Sequence, residues 1–117
     1  MSSYKCVLLM LFLTTSVAAQ LRPGTLKLKP YVFETNDKKE KVDAEFGTLF
    51  VPEKRSDPES NLLELAFVRF KSTAKNPGPP IVYLAGGPGG SGIGTARAER
   101  FPLFMALREI ADVIAFD

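Results

Sequence analysis

One stretch of this 117-residue sequence decides its fold: Pro79-Pro80-Ile81-Val82-Tyr83-Leu84-Ala85-Gly86-Gly87-Pro88-Gly89-Gly90-Ser91-Gly92. Its apolar part, Ile81 to Ala85, is rich in β-branched and aromatic residues and ends abruptly in glycines, which predicts a short buried strand before a special turn. The segment from Gly86 to Gly92 contains five glycines in seven residues. Glycines permit left-handed or closely packed backbone and bring bare N–H groups to the surface, where they can hold a phosphate or a developing negative charge. The pattern therefore predicts a site built from main-chain donors.

Nucleotide binding is the first alternative for this loop. Residues Gly87 to Gly92 formally spell G-x-G-x-x-G after a strand, and Asp117 stands near the end of the next strand, where a dinucleotide site needs an acid. Pro88 counts against this interpretation, because it removes an N–H from a loop that should wrap a pyrophosphate. The two predicted strands that precede the strand leading into this loop also count against the dinucleotide interpretation. A P-loop is excluded, because no Gly-Lys-Ser or Gly-Lys-Thr ends the run. A plain glycine-rich turn is the simplest alternative.

The third interpretation rests on a resemblance to a known family. The run Val82-Tyr83-Leu84-Ala85-Gly86-Gly87-Pro88-Gly89-Gly90-Ser91-Gly92, followed by Asp112-Val113-Ile114-Ala115-Phe116-Asp117, resembles the start of an α/β-hydrolase of the proline iminopeptidase type. In that family one strand ends in His-Gly-Gly-Pro-Gly, and the next ends in an aspartate that begins an Asp-Gln-Arg-Gly turn. This chain carries Ala85 where those peptidases usually have histidine, and Asp117 matches the aspartate.

The resemblance implies both a fold and a site. The expected fold is the N-terminal part of an α/β-hydrolase sheet, an incomplete domain with an antiparallel hairpin, a strand, the glycine loop, a helix and a parallel strand. The backbone N–H of Gly87, with Gly86 beside it, is implied to be an oxyanion-hole donor that pairs with an N–H just after the nucleophile. The parent enzyme would be a serine hydrolase or aminopeptidase without a cofactor. It would cleave peptide or small ester or amide substrates through an acyl-enzyme.

The residues of a catalytic triad are missing from this chain. A serine hydrolase of this class needs a Gly-x-Ser-x-Gly elbow, an acid and a histidine base. Ser91 is the only serine flanked by glycines, but it lacks the elbow spacing and follows the strand that supplies the oxyanion loop. The chain has no histidine, so we expect a fragment that is inactive alone. The alternative function is a small secreted module that binds an anion or a dinucleotide in its glycine loop.

Residues 1–19 have the features of a removable secretion signal. Lys5 supplies a positive charge, Val7 to Leu13 is an unbroken apolar run, and Val17-Ala18-Ala19 offers the small residues that a signal peptidase reads. The apolar run is too short to cross a bilayer of about 30 Å. We therefore expect cleavage after Ala19 and an extracellular product without a permanent membrane anchor.

Composition argues against several other classes of function. Cys6 is the only cysteine and lies in the signal segment, so with no histidine the usual soft-metal ligands are missing and no metal site is predicted. The formal net charge of +2 falls by one when Lys5 is removed with the signal. A nearly neutral chain gives no indication of a nucleic-acid partner.

The segment between the signal and the hydrolase-like part is predicted to be an N-terminal lead-in, residues 20–43, before a partial hydrolase domain, residues 44–117. Alternating Leu26-Lys27-Leu28-Lys29 predicts a short strand around Leu26 to Phe33. Pro30 within this segment is expected to limit the length of the strand. The charged run from Asp37 to Lys41 predicts a solvated loop.

The partial domain is predicted to open with a hairpin of two strands, Ala44 to Val51 and Leu62 to Phe70, joined by a polar loop. Both faces of the second strand are apolar, which predicts that both are covered.

After the glycine loop, Ile93 to Arg100 is predicted to be a loop with a possible helical turn, and Pro102 suits the first turn of a helix. One side of that helix is predicted to be apolar, with Leu103, Phe104, Leu107, Ile110 and Ala111. Asp112 to Phe116 then predicts a parallel strand and a right-handed crossover.

Overall fold

Five strands form one mixed sheet, and two short helices pack against it. The computed structural model describes residues 21–117, so the expected signal peptide lies outside the described residues. The elements are β1 (Leu26–Glu34), β2 (Lys41–Pro52), β3 (Leu62–Phe70), β4 (Gly78–Leu84), α1 (Gly92–Arg97), α2 (Phe101–Arg108) and β5 (Ala111–Phe116). Neither helix in this part of the chain is long and apolar enough to cross a membrane.

The strands lie in the order β1-β2-β3-β5-β4. The pairs β1–β2, β2–β3 and β3–β5 are antiparallel, whereas β4 and β5 are parallel. The predicted hairpin is therefore confirmed as β2 and β3, and the predicted parallel strand is confirmed as β5. Because β4 and β5 run in the same direction, the chain must cross from one end of the sheet to the other between them, and α1 and α2 make this connection.

β1 covers the segment that the sequence predicted, since a strand around Leu26 to Phe33 was expected and Leu26–Glu34 is observed. The prediction that Pro30 limits this strand was wrong, because Pro30 stands opposite Glu45 inside a ladder that continues to Glu34. β1 is an edge strand, where the missing N–H of a proline can face away from the neighbouring strand. β1 and the start of β2 fall within the range 20–43, so the lead-in contributes strands to the same sheet.

The core lies between the two helices and the face of the sheet that we call the inner face. Phe33 of β1, Phe70 of β3 and Val113 of β5 all point to this face and are fully buried. The Phe33 ring meets Phe70 edge-on at 4.8 Å and stacks on Phe101 of α2 at 6.1 Å between centroids. The whole cluster of buried residues is Phe33, Val68, Phe70, Ala96, Phe101, Phe104, Val113 and Ala115.

The opposite face of the sheet, which we call the outer face, has no described helix over it. The prediction that both faces of β3 are covered was wrong for Leu63, which is 45% exposed. Phe67 is buried on this face because its ring lies over Gly47 and stacks on Phe116 at 6.0 Å. Helix residues enter only the cluster on the inner face, so the rest of the outer face stays open.

Helix α2 starts where Pro102 predicted, but its buried side differs from the prediction. Phe101 and Phe104 are buried, whereas Leu103 is 43% exposed and Ile110 is 61% exposed. The helix begins at Phe101 and ends at Arg108. Phe101 and Phe104 are three residues apart, so they lie on the same side of the helix and form its buried side. Ile110 lies beyond the end of the helix and does not belong to that side.

Candidate functional site

The glycine loop, residues 85–91, joins β4 to α1 at the edge of the sheet where β4 and β5 both end. These parallel strands finish side by side, with Leu84 opposite Phe116. In open sheets of this kind, ligands bind outside the carboxyl ends of the strands. The loop thus occupies the part of the sheet where a binding site is expected.

Gly86 and Gly87 are the residues of the loop whose main-chain donors bear on a binding site. Both residues are exposed, and within residues 21–117 neither N–H donates a hydrogen bond to the protein. Gly87 has a φ of 62°, in the left-handed region that favours glycine. A Cβ built on either residue would meet nothing within 4 Å. Both N–H groups are therefore available to an acceptor from outside.

Pro88 and Gly89 form the tip of a tight turn. The N–H of Gly90 donates to the carbonyl of Gly87 at 3.1 Å, and Gly89 has a φ of 83°. Proline at the second position and a left-handed glycine at the third are the features of a type II turn. Pro88 therefore fits as a turn former that shapes the loop after Gly87.

Ser91 and Asp117 link the loop to the end of β5. The Ser91 hydroxyl donates to Oδ1 of Asp117 at 2.8 Å and accepts the N–H of Gly94 at 2.7 Å, which makes Ser91 the N-cap of α1. The same Oδ1 accepts the N–H of Ile93 at 3.0 Å, and the N–H of Asp117 donates to the carbonyl of Ala66 at 2.9 Å. The Ser91 hydroxyl is thus used for capping and is held by a carboxylate, and the chain has no histidine that could act as its base.

The position of Asp117 bears on the dinucleotide alternative. In a dinucleotide-binding fold the pyrophosphate lies at the helix N-terminus and uses its free N–H groups. Here the Asp117 carboxylate already accepts the N–H of Ile93 in the first turn of α1. A bound pyrophosphate would meet a negative charge at that point. The geometry therefore disfavours the dinucleotide interpretation.

The sequence predicted α1 only as a possible helical turn within Ile93 to Arg100, and it did not predict the capping role of Ser91. The helix contains Gly92 and Gly94, and glycine lowers helix propensity by about 1 kcal/mol relative to alanine. The signal that could have found it is Ser91 itself, because serine is among the preferred N-cap residues. Its partner Asp117 is 26 residues away in sequence, so the pairing has no local signature.

A surface cavity of about 430 Å³ lies away from the glycine loop, between the β1–β2 turn and the start of α2. Several of its polar side chains already have partners in the protein. The Thr35 hydroxyl donates to Asp37 at 2.6 Å, and this bond holds the pKa of Asp37 below its ordinary value. Arg97 donates to the hydroxyl of Tyr31 and lies over the ring of Phe33. The N–H of Asn36 donates to the carbonyl of Arg97 at 2.9 Å, which connects the β1–β2 turn to the end of α1.

Residues 21–117 contain no candidate metal centre, and the comparisons with known proteins assign no family to the chain. In the part of the chain that the structure covers, no three His, Cys, Asp or Glu side chains converge to hold a metal ion. The chain matches no protein-family model and no curated protein. Evidence about function therefore comes from the residues and geometry of the glycine loop.

Proposed function

We propose that this chain is the N-terminal part of a secreted serine hydrolase resembling the proline iminopeptidase type, and that its glycine loop supplies oxyanion-hole donors. One observation carries the proposal. Gly86 and Gly87 are exposed residues at the carboxyl end of β4, and their N–H groups are unpaired within residues 21–117. Main-chain donors at such a strand-to-helix connection suit stabilisation of a developing negative charge.

The order of the elements supports the same proposal. An antiparallel hairpin, β2 and β3, precedes β4, and the glycine loop, two helices and the parallel strand β5 follow. This mixed order is compatible with the sheet that the resemblance implied, with β1 and a second helix in addition. A dinucleotide-binding domain would open on the parallel strand that carries the glycine loop.

The chemistry assigned to the loop is electrostatic. When a serine attacks a peptide or ester carbonyl, the carbonyl oxygen becomes an oxyanion that needs donors at about 2.7–3.1 Å. The Gly87 N–H would be one donor, and an N–H just after the nucleophile would be the other. Removal of one such donor lowers kcat by roughly 10²–10³-fold in serine proteases. The φ of 62° at Gly87 makes glycine the residue that can present this N–H without strain.

The other groups of the reaction must come from outside these 117 residues. The chain contains no histidine, so no serine in it has the usual base, and the Ser91 hydroxyl is engaged by Asp117 and Gly94. The transcript is therefore expected to continue after Asp117 with a Gln-Arg-Gly-like turn, followed by a Gly-x-Ser-x-Gly elbow, an acid and a histidine.

Sequencing the transcript and the genomic locus tests this expectation, and active-site labelling of the purified chain provides a second measurement. We expect no labelling by a fluorophosphonate probe and no turnover of aminoacyl p-nitroanilides by the chain alone. A stop codon directly after Asp117, with no elbow encoded downstream, would contradict the proposal. So would stoichiometric labelling at Ser91 that Ser91→Ala abolishes. Saturable NAD binding that Gly87→Ala abolishes would favour the dinucleotide alternative instead.

A further inference from the structure

The loop that joins β2 to β3, residues 53–61, carries two adjacent basic residues. Lys54 and Arg55 stand side by side and are followed by Ser56, and every residue from Glu53 to Glu59 is exposed. Neither basic side chain has an ion-pair partner within residues 21–117. β2 lies between β1 and β3, and β3 lies between β2 and β5. The loop is therefore held by strands that have neighbours on both sides.

The hydrogen bonds that shape this loop stay within it. The N–H of Asp57 donates to the carbonyl of Lys54 at 2.9 Å, and the N–H of Lys54 donates to the Ser60 hydroxyl at 3.0 Å. The Ser60 hydroxyl donates in turn to the carbonyl of Asp57 at 2.7 Å. Among the described residues, 54–60 form no hydrogen bond to a residue outside 53–61. The loop can therefore open locally while the sheet keeps its hydrogen bonds, and local opening governs proteolysis of a folded chain.

A second exposed pair of basic residues, Lys38-Lys39 in the β1–β2 turn, is held differently. The N–H of Asn36 in this turn donates to the carbonyl of Arg97 in α1 at 2.9 Å. Thr35, at the start of the turn, is buried. Opening of this turn would therefore break contacts with α1, so the two basic pairs carry the same charge but differ in their freedom to open.

We propose that the Arg55–Ser56 peptide bond is a processing site for an endoprotease with two acidic subsites, one for each basic side chain. An acidic pocket is the means by which a serine protease selects a basic residue before the bond that it cuts. Hydrolysis adds one water across the bond and leaves a carboxylate on Arg55 and a free amino group on Ser56. Exposed loops of small and polar residues are the preferred places for such cuts.

The two parts of the cut chain would stay assembled. β2 precedes the cut and β3 follows it, and they remain joined by their antiparallel ladder and by the hydrogen bond from Arg69 to Glu45. Phe33 also precedes the cut, whereas its aromatic partners Phe70 and Phe101 follow it. The product is therefore a two-chain form with the same core. This inference concerns the β2–β3 loop alone and does not depend on the oxyanion assignment of the glycine loop.

Limited proteolysis of the purified full chain tests the proposal, with trypsin and an endoprotease that requires paired basic residues as the two probes. Both should cut first after Arg55, so that sequencing of the new N-terminus begins at Ser56. Substituting glutamine for both Lys54 and Arg55 should slow this cut at least roughly a hundredfold, because both charges are lost. The matched control, glutamine at both Lys38 and Lys39, removes the other exposed pair and should leave the rate unchanged.

Two further measurements test the local opening and the assembled product. Ser60→Ala removes hydrogen bonds to Lys54 and Asp57, so it should speed the cut roughly fivefold. Size-exclusion chromatography should show the cut chain eluting with the intact chain, and separating into two parts only in urea. First cleavage at any other bond within residues 21–117, or resistance to both proteases, would overturn the proposal. Parts that separate without denaturant, or a rate that Ser60→Ala leaves unchanged, would overturn it as well.

Discussion

At the scale of single residues, the glycines of the loop are needed for different reasons. Gly87 and Gly89 have positive φ angles of 62° and 83°, which other residues adopt with strain. Gly90 and Gly92 are restricted by space instead, since a Cβ would come within 2.5 Å of the Gly86 carbonyl oxygen and 2.3 Å of the Phe116 carbonyl oxygen. Gly86 has neither restriction. The loop and the first residue of α1 therefore contain two glycines with left-handed backbone, Gly87 and Gly89, and two glycines that are packed closely against other backbone, Gly90 and Gly92.

The contrast between Gly92 and Gly86 gives a prediction about stability. Gly92→Ala should destabilise the chain by about 3 kcal/mol, because the new methyl group would collide with the backbone of β5. Gly86→Ala should change the free energy of unfolding by no more than about 0.5 kcal/mol, because nothing lies within 4 Å. Urea unfolding followed by circular dichroism measures both. Equal effects of the two substitutions would show that α1 does not start against β5 as described.

At the scale of elements, a network of charges joins β2 to β3 on the outer face. Glu45 and Arg69 stand directly opposite each other, and Arg69 Nε donates to Glu45 Oε2 at 2.6 Å. Lys71 Nζ lies 3.0 Å from the other carboxylate oxygen. The hydrogen bond from Lys71, followed by that from Arg69, holds the pKa of Glu45 below its ordinary value of 4.5, although burial opposes this shift. The network therefore depends on a charged Glu45.

The lowered pKa of Glu45 predicts a pH dependence of unfolding. Because the pKa is lower in the folded chain, the stabilisation is complete above about pH 4.5 and is lost as the pH falls through the lowered pKa. Glu45→Gln should cost about 1 kcal/mol at neutral pH and should reduce the loss of stability in acid. Urea midpoints measured at neutral pH and at about pH 3 test this.

The control for this prediction is Glu64→Gln on β3. Glu64 is exposed and makes no ion pair within residues 21–117. Its substitution should leave both the stability at neutral pH and the acid dependence close to wild type. If Glu64→Gln and Glu45→Gln reduce the pH dependence of the unfolding free energy equally, the Glu45 network is not the cause of the loss of stability in acid.

At the scale of the whole molecule, the two described helices pack their apolar residues on one side of the sheet. Phe33 brings β1 into contact with β3 and α2 through the rings of Phe70 and Phe101. The segment 26–34 is thus an integral part of the core. Removing it would expose the partners of Phe33 to water, so we expect β1 to unfold together with the rest of the sheet.

Phe33→Leu tests whether β1 belongs to the same cooperative unit. This substitution should lower the free energy of unfolding by roughly 1–2 kcal/mol, because Phe33 is fully buried and leucine leaves a small cavity. Val32→Ala, at the neighbouring exposed position, should cost no more than about 0.5 kcal/mol. The measurement is denaturant unfolding monitored at two wavelengths. If Phe33→Leu leaves the transition midpoint unchanged, β1 does not share the core.

The sequence by itself determined the strands and the place of the glycine loop. Runs such as Leu62–Phe70 and Asp112–Phe116 have the residue types and lengths of strands, and the abrupt change from apolar residues to glycines after Leu84 marks the end of β4. These features are local, because strand preference and glycine backbone freedom belong to a residue and its immediate neighbours. The position of Gly86 and Gly87 at the end of a strand therefore followed from the pattern.

Only the tertiary structure decided which residues face one another. Pro30 is accommodated because β1 is an edge, and Leu63 is exposed because the described helices pack on the other face. Ser91 caps α1 and binds Asp117 because β5 ends beside the glycine loop. Each of these outcomes depends on strand order and on contacts between residues distant in sequence. Local propensity contains no information about such contacts, since they arise only when the sheet brings the segments together.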